Sequence, residues 1–409
     1  MNIREEALKV RQENQGILGV AGKVPLKNRQ DLSILYTPGV AEPCKDIKAN
    51  PDLSFEITCR GNMVAVVTDG TRVLGLGDIG PVAGLPVMEG KSVLFKVFGD
   101  VDAVPICLDT KDPEKIIETV KLLQPSFAGI NLEDLSSPKC YDIEDRLKEI
   151  MDIPVFHDDQ HGTAIAALSA VIGALRFVKK DIKTARIIVN GAGAAGSAIG
   201  RLLVNAGAQN LVMVDVKGAL YDGMEGLNRI QAGLAKNTNK DKKQGDLATF
   251  AKGADVLIGV SGPNLFTKEI IGSMGKDSIV FGMANPVPET TYAEAKAAGA
   301  RVAGTGRSDA PNQVNNVTVF PGIFRGALDV RARQINEEMK LAAAYAIADL
   351  LPEKDLREDF VVVDAFDPRV APAVAAAVAK TAIETGVARI KVDPEVIRAR
   401  TAARLKLGK

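Results

Sequence analysis

The sequence predicts an α/β protein of two domains, in which an N-terminal α/β domain precedes a doubly wound parallel sheet. The first observation is a strand, glycine turn, helix and second strand between residues 185 and 215. The second is the alternation of strand-like and helix-like apolar segments on both sides of that unit. The chain of 409 residues is also long for one hydrophobic core. We place the boundary after residue 155, which gives domains of residues 1–155 and 156–409.

The unit from 185 to 215 has the features of a dinucleotide-binding, Rossmann-type motif. A short apolar strand runs into the turn Gly191-Ala-Gly193-Ala-Ala-Gly196, and apolar residues then recur at helical spacing. Gly191 permits the turn, Gly193 lets the backbone approach a pyrophosphate, and Gly196 lets the helix pack close to the strand. The diphosphate would bind free N–H groups at the helix N-terminus. The alternative is a nucleotide-free domain with a tight turn.

An acid at the end of the second strand bears on the choice of nucleotide. Asp215 lies about 20 residues beyond the glycines, where a carboxylate accepts hydrogen bonds from ribose hydroxyls and repels a 2′-phosphate. This arrangement favours NAD. Lys217 lies two residues further on and keeps NADP open.

Composition excludes several classes of partner. Lys plus Arg and Asp plus Glu both number 51, so no net charge attracts nucleic acid or an anionic membrane. The N-terminus lacks the apolar region of a secretory signal, and no apolar run reaches membrane-spanning length. Four scattered cysteines without a CxxC pair indicate reduced thiols. We therefore expect a cytoplasmic protein.

The N-terminal domain is predicted to begin with a short polar helix over residues 5–15. Tyr36 then precedes a Thr-Pro-Gly turn, and its chemistry alone favours a side chain of the core. A strand over 62–68 enters an Asp-Gly turn, and residues 73–76 resemble its hairpin partner. Arg72 lies at that turn, either as a solvated cation or as a clamp for a carboxylate or phosphate.

One lysine in the following segment is a candidate base. Lys91 opens the apolar run Ser-Val-Leu-Phe. A lysine against such a surface can have its pKa lowered enough to accept a proton near neutral pH. The alternative is a lysine whose stem packs while its ammonium group reaches water.

Two successive strands are predicted to end in pairs of acids. One delivers Glu133 and Asp134, and the next is followed by Asp158 and Asp159. Four carboxylates close together would repel one another, and a hard divalent cation with oxygen ligands resolves that conflict. The alternative is that one or two of them are helix caps or surface acids.

The second pair lies within His157-Asp-Asp-Gln-His161, which resembles the HExxH motif of zinc hydrolases. The match is poor, because Asp replaces the required Glu and the motif is predicted to lie between a strand and Gly162, outside a helix. Two satisfied, partly buried histidines are the simpler interpretation.

The C-terminal half continues the alternation of strands and helices. Asn285 lies at a strand's carboxyl end, where α/β proteins bind ligands, and Asn316 belongs to a second amide pair that could donate to a carboxylate. Residues 231–246 form a polar excursion, interpreted as a surface loop or frayed helix end. The chain from residue 323 is predicted to be helical. Further strands are predicted over 103–108, 127–132, 153–156, 254–260, 278–284 and 301–303.

Taken together, these motifs resemble the malic enzyme family, specifically its short bacterial form. The likeness runs in consistent order from residue 32 to residue 326. Its segments are LYTPGV, TDGTRVLGLGDIG, EGKSVLFK, NLED, VFHDDQHGTA, GAGAAG, ANPVPE and NNVTVFPG. The resemblance implies an NAD(P)-dependent oxidoreductase, with a malic (substrate) domain before the nucleotide domain. It implies oxidative decarboxylation of L-malate to pyruvate and CO2, through oxaloacetate.

The resemblance also implies a role for each candidate acid and base. Glu133, Asp134 and Asp159 match the family's ligands for Mg2+ or Mn2+, which stabilises the enolate formed when CO2 departs. Lys91 matches the base that takes the hydroxyl proton, and Asp158 would tune and orient it.

The remaining matches concern the second proton, the substrate and the cofactor. Tyr36 matches the acid that protonates C3 of the enolate. Arg72, Asn285 and Asn316 match groups that hold substrate carboxylates or the cofactor. The expected cofactor-binding set is Gly191, Gly193, Ala194, Ala195, Gly196, Asp215 and Asn285.

Several alternatives stay open at this point. Relatives that act as malolactic enzymes or that only decarboxylate oxaloacetate share these motifs. Two alternative functions lie outside this family: a zinc hydrolase built on HDDQH and a non-catalytic nucleotide sensor. The chain lacks the long terminal extensions of larger family members, and the family likeness predicts a homodimer.

Overall fold

Two parallel β-sheets organise the protein in a computed structural model that describes residues 2–407. Residues 1, 408 and 409 of the predicted domains lie outside the described part. The strands are β1 (Met63–Thr68), β2 (Asp102–Cys107), β3 (Gly129–Leu132), β4 (Val155–His157), β5 (Arg186–Asn190), β6 (Asn210–Asp215), β7 (Gly218–Ala219), β8 (Val256–Gly259), β9 (Ile279–Gly282) and β10 (Val302–Thr305).

Helices connect and cover these strands. In chain order they are α1 (Ile3–Asn14), α2 (Arg29–Leu35), α3 (Ala41–Ala49), α4 (Ser54–Ile57), α5 (Gly80–Gly99), α6 (Pro113–Leu123), α7 (Lys139–Ile150), α8 (Asp158–Val178), α9 (Ala194–Asn205), α10 (Arg229–Asn237), α11 (Leu247–Ala251), α12 (Lys268–Gly272), α13 (Tyr292–Ala297), α14 (Phe320–Asp329), α15 (Glu337–Ala348), α16 (Val370–Glu384) and α17 (Pro394–Leu407).

The sheet orders confirm the predicted fold class. The first sheet is wholly parallel in the order β2-β1-β3-β4. The second has the order β10-β9-β8-β5-β6-β7, and only the two-residue β7 runs antiparallel to its neighbour. Parallel strands covered by helices on both faces are apolar along their length, as the buried run of β1 shows.

Helix α8 joins the two sheets and forms much of the core between them. It starts directly after β4 of the first sheet and packs against α9 and α15. It is long and apolar enough to cross a membrane by length and composition, but 78% of its apolar window is buried inside the protein. Its apolar surface therefore serves the core, as expected of a helix that packs on several sides.

Two local predictions are wrong, and a third is right only in part. Residues 73–76 form no strand, because β1 pairs with the parallel strands β2 and β3, and Val73 only bridges Gly77. The HDDQH motif forms the end of β4 and the first turn of α8, so it is not outside a helix. The polar excursion predicted over 231–246 is loop from residue 238, but its first part belongs to helix α10, which begins with a capping box between Asn228 and Gln231.

The N-terminal segment, residues 2–57, lies on the surface of this core, which it contacts through Phe55. None of its residues is buried, and α1 to α4 contain no buried side chain. Yet it carries many large apolar side chains that are exposed: Ile3, Leu8, Val10, Leu18, Val20, Val24, Leu26, Leu32, Ile34, Leu35 and Val40. Contiguous exposed apolar side chains are typical of a surface that another chain covers.

Close packing of α8 gives a first prediction. A Cβ added to Gly173 would lie 2.2 Å from the backbone oxygen of Val361. We expect Gly173→Ala to lower the free energy of unfolding by about 1–3 kcal/mol. The control is Gly233→Ala in α10, whose Cβ meets no atom within 4 Å and should be neutral or stabilising. Thermal unfolding of both variants tests this, and equal stabilities would contradict it.

Candidate active site

A cavity of about 800 Å³ lies where the carboxyl ends of the two sheets face each other. Both predicted domains contribute to its walls, which is where ligands bind in open α/β folds. Ten of the predicted site residues line it: Arg72, Lys91, Glu133, Asp134, Asp159, Gly193, Ala194, Ala195, Asn285 and Asn316. Asp158 lies directly behind this wall, fully buried.

Lys91 is the centre of the polar wall. It projects from α5, is 7% exposed, and lies over the Phe320 ring with Nζ 4.2 Å from the ring centroid. Its Nζ donates to Oδ2 of Asp158 at 2.5 Å and lies 3.0 Å from Oε1 of Glu133. Burial alone would lower the pKa of Lys91, but the carboxylates of Asp158 and Glu133 outweigh it and raise that pKa. In this state Lys91 is an ammonium, which corrects the expectation of a lowered pKa.

The carboxylates that face the cavity repel one another. Burial, with the charges of Asp159 and Glu133, raises the pKa of Asp134 to about 9. Burial likewise raises the pKa of Asp159 to about 6, and the charge of Asp158 adds to that rise. Part of each shift comes from repulsion between neighbouring acids, so a cation bound among them would lower both pKa values.

The donor set fits a hard divalent cation. Asp134 has a left-handed backbone with φ 54°, its N–H donates to Oδ2 of Asp159 at 2.8 Å, and its buried Oδ2 has no hydrogen-bond partner. Glu133 instead turns to Lys91 and accepts from Nδ2 of Asn131 at 2.8 Å. Within residues 2–407 no three acid, His or Cys side chains already form a metal-ligand cluster. These carboxylate oxygens are the type of ligand that a hard divalent cation binds. Glu133 would have to break its contact with Lys91 to become a ligand together with Asp134 and Asp159.

The two histidines of HDDQH face away from the cavity. His161 is 4% exposed; its Nε2 bonds both carboxylate oxygens of Glu144 at 2.8 and 2.9 Å, and its Nδ1 lies 3.0 Å from Nζ of Lys340. Burial lowers the pKa of His161 to about 3, so the ring is neutral. His157 is fully buried, and neither of its ring nitrogens has a partner. With both nitrogens of His161 engaged, the pair has no geometry for zinc.

The glycine turn has the conformation that the sequence predicted. Gly191 has φ +108°, which favours glycine. A Cβ on Gly196 would lie 1.8 Å from the oxygen of Gly191, whereas one on Gly193 would meet nothing within 4 Å. Gly191 and Gly196 therefore serve the turn and its packing, and Gly193 leaves open space above the start of α9.

Asp215 lies at the end of β6, outside the cavity wall, and its carboxylate is held on both sides. Oδ1 accepts from the N–H of Val216 at 2.9 Å, and Oδ2 accepts from Nε2 of Gln231 at 3.1 Å. Sequence reasoning missed Gln231, although the spacing of Asn228 and Gln231 is a capping-box signal.

A second missed residue orders the loops around Asn285. The buried carboxylate of Glu289 accepts from the backbone N–H of Ser261 at 2.7 Å and of Ala284 at 3.0 Å. It thereby fixes together the loops that follow β8 and β9, both of which line the cavity.

Of the three predicted catalytic residues, Tyr36 lies away from the cavity, whereas Lys91 lines it and Asp158 lies directly behind its wall. It ends α2, is 66% exposed, and does not line the cavity. Its exposure contradicts the interpretation as a core side chain. Its role as an acid stays a prediction.

Comparison with known proteins gives the site its context. The malic enzyme N-terminal domain matches residues 18–148 and the malic enzyme NAD-binding domain matches residues 160–383. The chain is 58% identical to a bifunctional malic/malolactic enzyme of Bacillus subtilis, over 98% of each chain. It is 52% identical to an NAD-dependent malic enzyme of Geobacillus stearothermophilus, over 91% of this chain and 78% of that protein.

A solved structure agrees with these sequence matches. The malic enzyme of Pyrococcus horikoshii superposes with a TM-score of 0.95 at 47% identity, covering 99% of this chain and 96% of that one. The family models match the two halves in the order that the sequence predicted, on either side of the residue 155 boundary. The chain belongs to the malic enzyme family.

Proposed function

We propose that this chain oxidises L-malate with NAD and decarboxylates the product to pyruvate and CO2, in the cytoplasm. The observation that carries the proposal is Lys91 held between Asp158 and Glu133 on the wall of a cavity that both domains share. A lysine linked to two carboxylates can pass a proton along a fixed path, as the oxidation of a hydroxyl requires.

Each side chain has a task in this proposal. Bound at Glu133, Asp134 and Asp159, Mg2+ or Mn2+ would supply Lewis acidity to the substrate oxygens, and NAD would accept the hydride. Lys91 would first pass a proton from its ammonium group to Asp158, 2.5 Å away, and the neutral amine would then receive the proton of the malate hydroxyl. Arg72, Asn285 and Asn316, which line the cavity, would hold the malate carboxylates and the cofactor.

NAD is the proposed nucleotide because of Asp215. Its carboxylate is fixed at the end of β6, where the ribose of a nucleotide on the glycine turn would lie. A 2′-phosphate would be repelled there. Relatives at 45–52% identity are named for either nucleotide, so family membership alone does not decide the preference.

A second candidate activity is malolactic conversion of malate to lactate. The observation that favours it is the Bacillus subtilis relative, whose name joins malic and malolactic activity. In that reaction the reduced nucleotide would stay bound and be reoxidised, so no net reduction would appear.

A homodimer is supported by the N-terminal segment defined above. Its exposed apolar side chains need cover, and Tyr36 lies among them. We propose that a second copy covers this segment, and that Tyr36 of each copy supplies the C3 proton in the partner's cavity. This assigns to Tyr36 the task that the family likeness predicts and accounts for its exposure.

The reaction itself is tested by absorbance at 340 nm with L-malate, Mn2+ and either NAD or NADP. We expect reduced NAD and pyruvate from the wild type, no activity after chelation of the metal, and a loss of about 10²–10⁴-fold in Lys91→Ala. Lactate without accumulation of reduced nucleotide would establish the malolactic reaction instead. Consumption of neither malate nor oxaloacetate would overturn the proposal.

The position of Asp158 is tested by adding one methyl group behind it. A Cβ on Gly162 would lie 1.8 Å from Oδ1 of Asp158, so Gly162→Ala must displace the carboxylate that holds Lys91. We expect kcat to fall about 10²-fold. The control is Gly90→Ala on the same cavity wall, whose Cβ meets nothing within 4 Å. Wild-type kcat in Gly162→Ala would argue against a role for Asp158.

The shared site is tested by mixing two inactive variants. Tyr36→Phe and Lys91→Ala carry different affinity tags, and the heterodimer is isolated after co-expression. If Tyr36 acts in the partner's cavity, one of the two sites regains both residues and about half of the wild-type activity returns. If Tyr36 acts in its own chain, neither site is complete and the heterodimer stays inactive. A monomer at assay concentration would also contradict the proposal.

A further inference from the structure

Helix α10 is the part of the chain that neither the sequence motifs nor the proposed reaction explains. It lies in the segment interpreted from sequence as a polar excursion, yet it contacts both halves of the protein. Nη2 of Arg229 bonds Oδ2 of Asp145 on α7 at 2.6 Å, and Ile230 packs against the core cluster of the first sheet. These contacts join the start of α10, which belongs to the second domain, to the first domain.

The next residue, Gln231, has every polar atom of its side chain engaged. Its Nε2 donates to the carbonyl oxygen of Ala192 at 3.1 Å and to Oδ2 of Asp215 at 3.1 Å. Its Oε1 accepts from the backbone N–H of Asn228 at 3.1 Å. This pattern also fixes the orientation of the amide, because the flipped form would place Oε1 against two acceptors.

The two acceptors belong to different parts of the expected nucleotide site. Ala192 lies between Gly191 and Gly193 in the turn that would hold the diphosphate, and Asp215 would bind the ribose. Gln231 therefore sets the distance between these two parts and the direction in which the Asp215 carboxylate faces. With Val216 N–H on the other oxygen, the carboxylate cannot rotate without losing a hydrogen bond.

The loop that follows Asp215 also carries a cation. Lys217 is exposed, and a Cβ on Gly226 would lie 3.0 Å from its Nζ. If the Asp215 carboxylate were free to turn aside, Lys217 could approach a 2′-phosphate and reduce the repulsion that excludes it. Discrimination by Asp215 thus depends on whether its orientation is fixed.

We propose that Gln231 is a positioning residue that makes Asp215 select NAD over NADP. The inference rests on the proposed preference for NAD and goes beyond it, because it assigns selection to a side chain that need not touch the nucleotide. Without Gln231 the carboxylate keeps only the Val216 bond, so ribose binding weakens while a 2′-phosphate is better tolerated.

The test measures the equilibrium binding of NADH and NADPH to the full chain by fluorescence titration, without malate or metal. We expect the wild type to bind NADH more tightly, and Gln231→Leu to narrow the ratio of the two Kd values by about tenfold. The control is Asn228→Ala, which removes the cap that accepts from the N–H of Gln231 but leaves its side chain opposite Asp215. It should lower the melting temperature and keep the wild-type ratio.

The outcomes distinguish the role inferred for Gln231 from the proposed preference for NAD on which it rests. Tighter binding of NADPH by the wild type would overturn the preference for NAD, whereas the change on Gln231→Leu decides the role of Gln231 in either case. An unchanged ratio in Gln231→Leu would overturn that role. If Asn228→Ala narrowed the ratio of the two Kd values equally, the role of Gln231 would also be overturned, since helix stability alone would then explain the effect. Gln231→Met, of similar length, replaces the Leu variant if that variant does not fold.

Discussion

The site depends on one buried ammonium group among more carboxylates than it can neutralise. Lys91 lies at hydrogen-bonding distance from Asp158 and Glu133, yet burial raises the pKa of all four acids, Glu133, Asp134, Asp158 and Asp159. Burying charge is unfavourable unless it is paired, so the acids that Lys91 does not pair either take up protons or bind another cation. In the proposed reaction the same acids would bind the divalent metal, while Asp158 and Glu133 hold Lys91 on the cavity wall.

This arrangement is possible because parallel sheets collect side chains from distant parts of the chain at one edge. β3 and β4 present the acids, α5 brings Lys91 across from the helix layer, and β8 and β9 face them from the second sheet. Rigid supports stand behind each group. Glu289 joins the loops after β8 and β9, and the pair of Glu144 and His161 holds the first turn of α8 against α7.

Sequence reasoning succeeded where the signal is local. Most strands, the first helix and the glycine turn were predicted because periodicity, glycine spacing and strand-end acids can be recognised in adjacent residues, whereas the long helix α5 was not predicted. It failed where partners are remote. The carboxylate of Asp158 raises the pKa of Lys91, and these two residues are 67 positions apart in the sequence. The hairpin predicted at 73–76 was wrong because β1 pairs with parallel strands. Gln231 was missed because its partners, Ala192 and Asp215, precede it by many residues.

Tyr36 differs from these residues, because in the proposed dimer a second chain completes its surroundings. A proton donor for the enolate has to reach the cavity, yet Tyr36 ends an exposed helix within a segment that has no buried residue. Many exposed apolar side chains on that segment would be unfavourable in water for an isolated monomer. The proposed second copy removes both difficulties at once, because the surface that it covers is the surface that carries Tyr36. Protonation of the enolate then depends on association of the two copies. Weakening the dimer would remove Tyr36, the proposed acid, from the cavity, while Lys91, the proposed base, would stay in place.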